Sequence, residues 1–196
     1  TIEHFNHDPT DPFSISSDSI WAVYYDIYGI GWIGTLYGGG NKIVPSKSVF
    51  RLYSLDEIYA GASKSGFVNE FCEVGSSVWV TSNYGLHKLD SEKQSFSSYT
   101  YDESNIAGIE TLLLRTIFND NNGQLWLGTS IAGLVRFDID TGSFTTFEHG
   151  NLISTVISLD VTAKNKDNEG DFWLGTNLGV LTFNPQNESF GKLDID

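Results

Sequence analysis

The residue types from which active sites are built are present in this sequence but are not arranged as one. The four histidines, His4, His7, His87 and His149, stand at no spacing from a serine, cysteine or carboxylate that would make a nucleophile–base pair or a metal pair. Cys72 is the only cysteine, which excludes an internal disulfide and a cysteine-based zinc site. Asp138-Ile139-Asp140-Thr141-Gly142 has the opening spacing of a calcium loop but lacks the distal glutamate that closes one, and it reads as a hairpin turn. Gly38-Gly39-Gly40 separates two β-like runs and is read as a strand connection, not a phosphate cradle. The acids are scattered, without the close carboxylate pair that glycoside cleavage needs. The reading is therefore no catalytic residue, no metal, no cofactor, and no enzyme activity in this stretch of chain.

What does recur is structural in type. Trp32, Trp79, Trp126 and Trp173 are spaced 47 residues apart, with Gly31-Trp32-Ile33-Gly34-Thr35 echoed by Leu125-Trp126-Leu127-Gly128-Thr129 and Phe172-Trp173-Leu174-Gly175-Thr176. Val78-Trp79-Val80-Thr81-Ser82 is a degenerate copy. An acid precedes each tryptophan by six residues: Asp26, Glu73, Asp120 and Asp167. Later in each period an aromatic, Phe50, Phe96, Phe144 or Phe190, opens a final β-like run. In the third period the runs are Leu112 to Phe118, Gln124 to Thr129, Gly133 to Phe137 and Ser143 to Phe147, divided by stretches rich in Asp, Asn and Gly.

Four short strands in a period of this length are the arithmetic of a β-propeller blade, and no window carries the 3.6-residue apolar stripe of a helical repeat. The fold expected is all-β: four four-stranded antiparallel blades, as part of a larger ring. The blades are placed at residues 20–53, 67–99, 112–147 and 159–193, with residues 1–19 as the last strand of a preceding blade plus a lead-in loop. Trp32, Trp79, Trp126 and Trp173 are expected to pack between sheets, with Gly34, Gly128 and Gly175 allowing close approach. Asp26, Asp120 and Asp167 are expected to cap turns through backbone N–H groups.

The 196 residues hold 25 acids against 11 bases, a net charge of −14, which disfavours nucleic acid and anionic membranes as partners. With 14% aromatic and only 18% charged residues the chain is a folded protein, not an acidic tail. No apolar run approaches the ~20 residues of a membrane helix, so no direct membrane insertion is expected. The absence of any methionine reads as a piece of a longer protein.

The pattern Asp-x-x-Gly-x-φ-Trp-φ-Gly-Thr resembles the two-component regulator propeller repeat of bacterial sensor ectodomains. It is carried by Asp120, Gly123, Trp126, Gly128 and Thr129, by Asp167, Gly170, Trp173, Gly175 and Thr176, and by the lead-in Asn6-His7-Asp8-Pro9 with Ser16-Ser17-Asp18-Ser19-Ile20. Ser76 and Thr81 depart from it, as does the polar run Ala163 to Lys166. The resemblance implies rings of about seven blades and a periplasmic sensor domain of an inner-membrane-anchored protein. It also implies an oligosaccharide or other small ligand, and relay to a histidine kinase or cyclase elsewhere in the parent.

Function is expected in what does not repeat. In the blade frame the segments leading into the first strand and those joining the second strand to the third share one face. The aromatics there, Tyr37, Tyr59, Tyr84 and Tyr101, suit stacking on sugar rings, and Asn83, Asn105 and Asn177 suit bonding to hydroxyls. Two other readings stay open: a structural or protein-binding propeller that mediates homodimerisation through its blades, and a propeller carbohydrate-active enzyme.

Overall fold

A computed structural model describes residues 3–44, 49–54, 67–90, 95–99, 113–147, 156–161, 170–177 and 179–192. All regular structure among them is β. The first sheet holds β1 (Ile20–Tyr25), β2 (Gly31–Thr35), β3 (Gly40–Val44) and β4 (Val49–Tyr53); the second holds β5 (Val68–Val74), β6 (Ser77–Ser82), β7 (Gly85–Asp90) and β8 (Ser95–Tyr99). The third holds β9 (Leu114–Asn119), β10 (Gln124–Thr129), β11 (Leu134–Asp138) and β12 (Phe144–Phe147), and the fourth β13 (Val156–Val161), β14 (Phe172–Thr176), β15 (Gly179–Asn184) and β16 (Ser189–Lys192). Each sheet is an antiparallel meander in chain order, so these are four four-stranded propeller blades.

The chain divides into two units, residues 1–100 with the first two blades and 101–196 with the last two. Within each unit the blades converge on their first strands, β1 beside β5 and β9 beside β13. The seam in the first unit is filled by Trp32, Tyr53, Val68, Phe71, Val78, Val80, Leu89 and Phe96. In the second, Trp126, Leu134, Phe147, Phe172, Leu174, Leu181 and Phe183 do the same. Trp126 stands edge-on to Phe172 at 4.9 Å and Trp32 lies 6.3 Å from Phe71, so these two tryptophans lean on the second and the first strand of the next blade, respectively.

Local chemistry explains the tryptophan's pose. Asp26 accepts the Tyr28 and Ile30 amides on Oδ1 and the Trp32 indole N–H on Oδ2, and Asp120 does likewise for Asn122, Gln124 and Trp126. One carboxylate thus closes the turn between the first two strands and fixes the ring. On the ring's other side a cation from the third strand lies over it: Lys42 on Trp32, Lys88 on Trp79 and Arg136 on Trp126.

Several details differ from the sequence reading. Glu73 lies inside β5, because the second blade turns tightly through Gly75 and Ser76, and its carboxylate accepts the Tyr24 hydroxyl and the Ile27 amide of the preceding blade. Of residues 2–5, expected as the last strand of a preceding blade, the described residues 3–5 lie in no sheet, and Phe5 packs edge-on to Phe50. β13 starts at Val156, ahead of the expected 159, since it pairs with Thr176 before a register shift. Trp173 is 36% exposed, unlike Trp32, Trp79 and Trp126, which are buried. Asp167 lies outside the described residues.

Candidate functional site

The antiparallel order puts the start of a blade's first strand and the turn between its second and third strands on one edge of the sheet. Backbone bonds tie them: Leu36 N–H to the Ser19 carbonyl in the first blade and Ser130 N–H to the Leu113 carbonyl in the third. A hydroxyl clips the turn each time. Thr35 and Thr129 donate to the carbonyls of Gly39 and Gly133, and accept the amides of Gly38 and Ala132. Thr176 donates to Gly179. The threonine of the repeated Gly-Thr pair is therefore a turn clip, a role that its recurrence alone does not reveal.

In the second blade Ser82 takes this place and accepts the Tyr84 amide at 2.9 Å. Behind it lies His87, wholly buried, with Nε2 at 2.7 Å from Ser82 Oγ and Nδ1 at 2.8 Å from Ser98 Oγ. Burial lowers the imidazole pKa to about 4, so the ring is neutral and able to donate through one nitrogen and accept through the other. The Asn83–Tyr84 turn thus rests on a relay running back across three strands.

Of the sequence-predicted ligand residues, Tyr37, Asn83 and Tyr84 lie on this edge of the first unit. Tyr37 is 63% exposed and meets Phe67, just ahead of β5, at 5.7 Å and 70°, so the first blade's turn touches the second blade's entry. Asn83 accepts from the amide of Asn69 at 3.1 Å. Asn177 is exposed on the matching turn of the fourth blade. Tyr59, Tyr101 and Asn105 lie outside the described residues.

Sequence reasoning missed one residue at the corresponding edge of each blade. The first strand of every blade has a register shift near its start, at Trp21, Asn69, Arg115 and Ile157. A bulge re-aims its side chain out of the strand's alternation. Asn69 reaches the turn residue Asn83, and Arg115 reaches the turn residue Ser130 through Nε at 2.6 Å. Trp21, at the same position, is 58% exposed. Exposed aromatics beside amides can stack on apolar ring faces and bond hydroxyls. Among the described residues no group of three or more His, Cys, Asp or Glu side chains is placed to hold a metal ion.

No protein-family model matches the chain, and no curated protein does. Solved structures share the fold. The extracellular domain of a protein described as a hybrid two component system from B. thetaiotaomicron matches with a TM-score of 0.71 at 24% identity, over 96% of this chain and 25% of that one. A second such domain from the same organism matches at 0.70 and 19%, over 97% and 26%. A virginiamycin B lyase from Staphylococcus aureus, solved with quinupristin, matches at 0.71 and 14%, over 98% and 59%. At these identities the likeness is one of fold. The chain spans about a quarter of the length of the two extracellular domains.

Proposed function

We propose that this chain is a ligand-recognition part of an extracytoplasmic sensor domain, taking a saccharide or other small molecule on the edge that carries Trp21, Tyr37, Asn83 and Tyr84. On this reading the parent is an inner-membrane-anchored signalling protein with its propeller in the periplasm, further blades complete the ring, and a histidine kinase or similar output lies elsewhere. The observation that carries the reading is the pairing of exposed Tyr37 with Phe67 beside the relay-braced Asn83–Tyr84 turn. The surrounding blade scaffold is repeated, whereas these side chains differ from blade to blade. The likeness in fold to extracellular domains of two-component systems supports the same reading. Calorimetry and thermal-shift titration against neutral and acidic oligosaccharides test it. Binding without turnover is expected; product formation would instead favour an enzyme.

A second reading, association through a blade face, rests on β1. Val23 is 62% exposed and Tyr25 64%, while Phe71 and Ile117, which hold Val23's place in the second and third blades, are 5% and 6% exposed. Such a face suits a further blade of the same repeat or, failing that, a second copy of the chain. Sedimentation at rising concentration separates the two.

A further inference from the structure

Among the described residues the cations have distinct surroundings, and Arg51 is exposed on β4. Lys42, Lys88 and Arg136 each lie over the tryptophan of their own blade, and Arg136 also pairs with Glu188 at 2.9 Å. Arg115 differs. It sits at the bulge of β9, half-buried, with Nε spent on the Ser130 hydroxyl at 2.6 Å. Among the described residues it lies over no ring and faces no carboxylate, in a protein of net charge −14. Its two terminal amines are left as a planar fork.

The local backbone holds that fork in place. Leu113, two residues earlier, has φ of 41°, a left-handed conformation that a leucine adopts only when its surroundings impose it. Its carbonyl accepts the Ser130 amide at 3.1 Å. Ser130 therefore grips the entry to β9 by its backbone and the guanidinium by its side chain. The donors left open on this guanidinium form a fork that matches the two oxygens of a carboxylate or sulfate.

We propose that Arg115 is an anion-reading residue on the ligand edge of the third blade, where it takes the carboxylate or sulfate group of an acidic saccharide. This concerns the second unit by itself and rests on the saccharide reading proposed above. The protein's overall negative charge would then act against polyanions at long range, while this one position selects a single acidic group at contact.

The test is calorimetric titration of the full chain with three probes: oligogalacturonate, a sulfated disaccharide and an uncharged oligosaccharide of similar size. Wild type, R115M, R115K and S130A are compared, with matched thermal unfolding as the folding control. Tighter binding of an acidic probe, weakened about 10- to 100-fold in R115M and partly in R115K and S130A, is expected, with a steeper salt dependence in wild type than in R115M. The carboxylate and sulfate arms identify which group is read. Equal affinity of wild type and R115M for an acidic probe would overturn the role of Arg115, as would binding of the uncharged probe alone; both leave the sensor reading standing. Failure of wild type to bind any of the three overturns the proposal together with the saccharide reading on which it rests. If R115M does not fold, S130A decides, since it frees the guanidinium without removing charge.

Discussion

His87 Nε2 lies 2.7 Å from Ser82 Oγ, and that same oxygen accepts the Tyr84 amide at 2.9 Å. A buried imidazole is thereby two hydrogen bonds from the half-buried Asn83–Tyr84 turn. The relay gives the turn a fixed base, and it makes the base sensitive to the protonation of one ring.

Acid should weaken the fold through His87. Its folded pKa of about 4 lies below the ordinary value of 6.5, so the unfolded chain binds the proton first as pH falls. The stabilisation is complete above pH 6.5, declines between pH 6.5 and 4, and totals about 3 kcal/mol by the usual 1.36 per unit. Urea unfolding of wild type and His87→Gln across this window checks it. The variant is expected to be less stable at pH 7 and to show a flatter pH profile; parallel profiles would remove His87 from the titration.

Gly34→Ala should destabilise the first seam. A Cβ there would lie 2.6 Å from Cγ1 of Val68, a β-branched side chain that cannot turn aside, so the two blades must separate slightly. A loss of about 1–3 kcal/mol is expected in urea unfolding. Gly34→Ala combined with Val68→Ala should recover part of it.

Asp120→Ala removes acceptors for the Asn122 and Gln124 amides and for the Trp126 indole together. The expected cost is about 1–3 kcal/mol, with a change in tryptophan fluorescence as the ring loses its anchor. Asp120→Asn retains the acceptor oxygen for the turn and should cost less. An unchanged spectrum in the alanine variant would show that the ring is held by Phe147, Phe172 and Arg136 without the carboxylate.

Replacing Tyr37 and Tyr84 together by alanine should weaken saccharide binding about 10-fold or more, by loss of stacking surface, while the unfolding midpoint moves little because both lie on turns. Titration and thermal unfolding of the double variant give the two readings. Undiminished affinity would place the ligand away from this edge.

The 47-residue return of tryptophan determined the blades, their number in this chain and the order of their strands, because burial of one large ring per sheet leaves a mark that survives in sequence. The capping role of Asp26 and Asp120 was legible for the same reason: donor, acceptor and turn lie within six residues. Other features required the tertiary structure. The register shifts at Trp21, Asn69, Arg115 and Ile157 are relations between two strands' hydrogen bonds, and no single strand records them. His87 appeared unconnected because its partners lie on the strands either side of it. Whether Trp173 or Val23 is buried depends on what packs against that blade face, which the repeat, identical in type from blade to blade, does not state. Local chemistry wrote the blade; contacts between strands and between blades decided which of its side chains stay exposed.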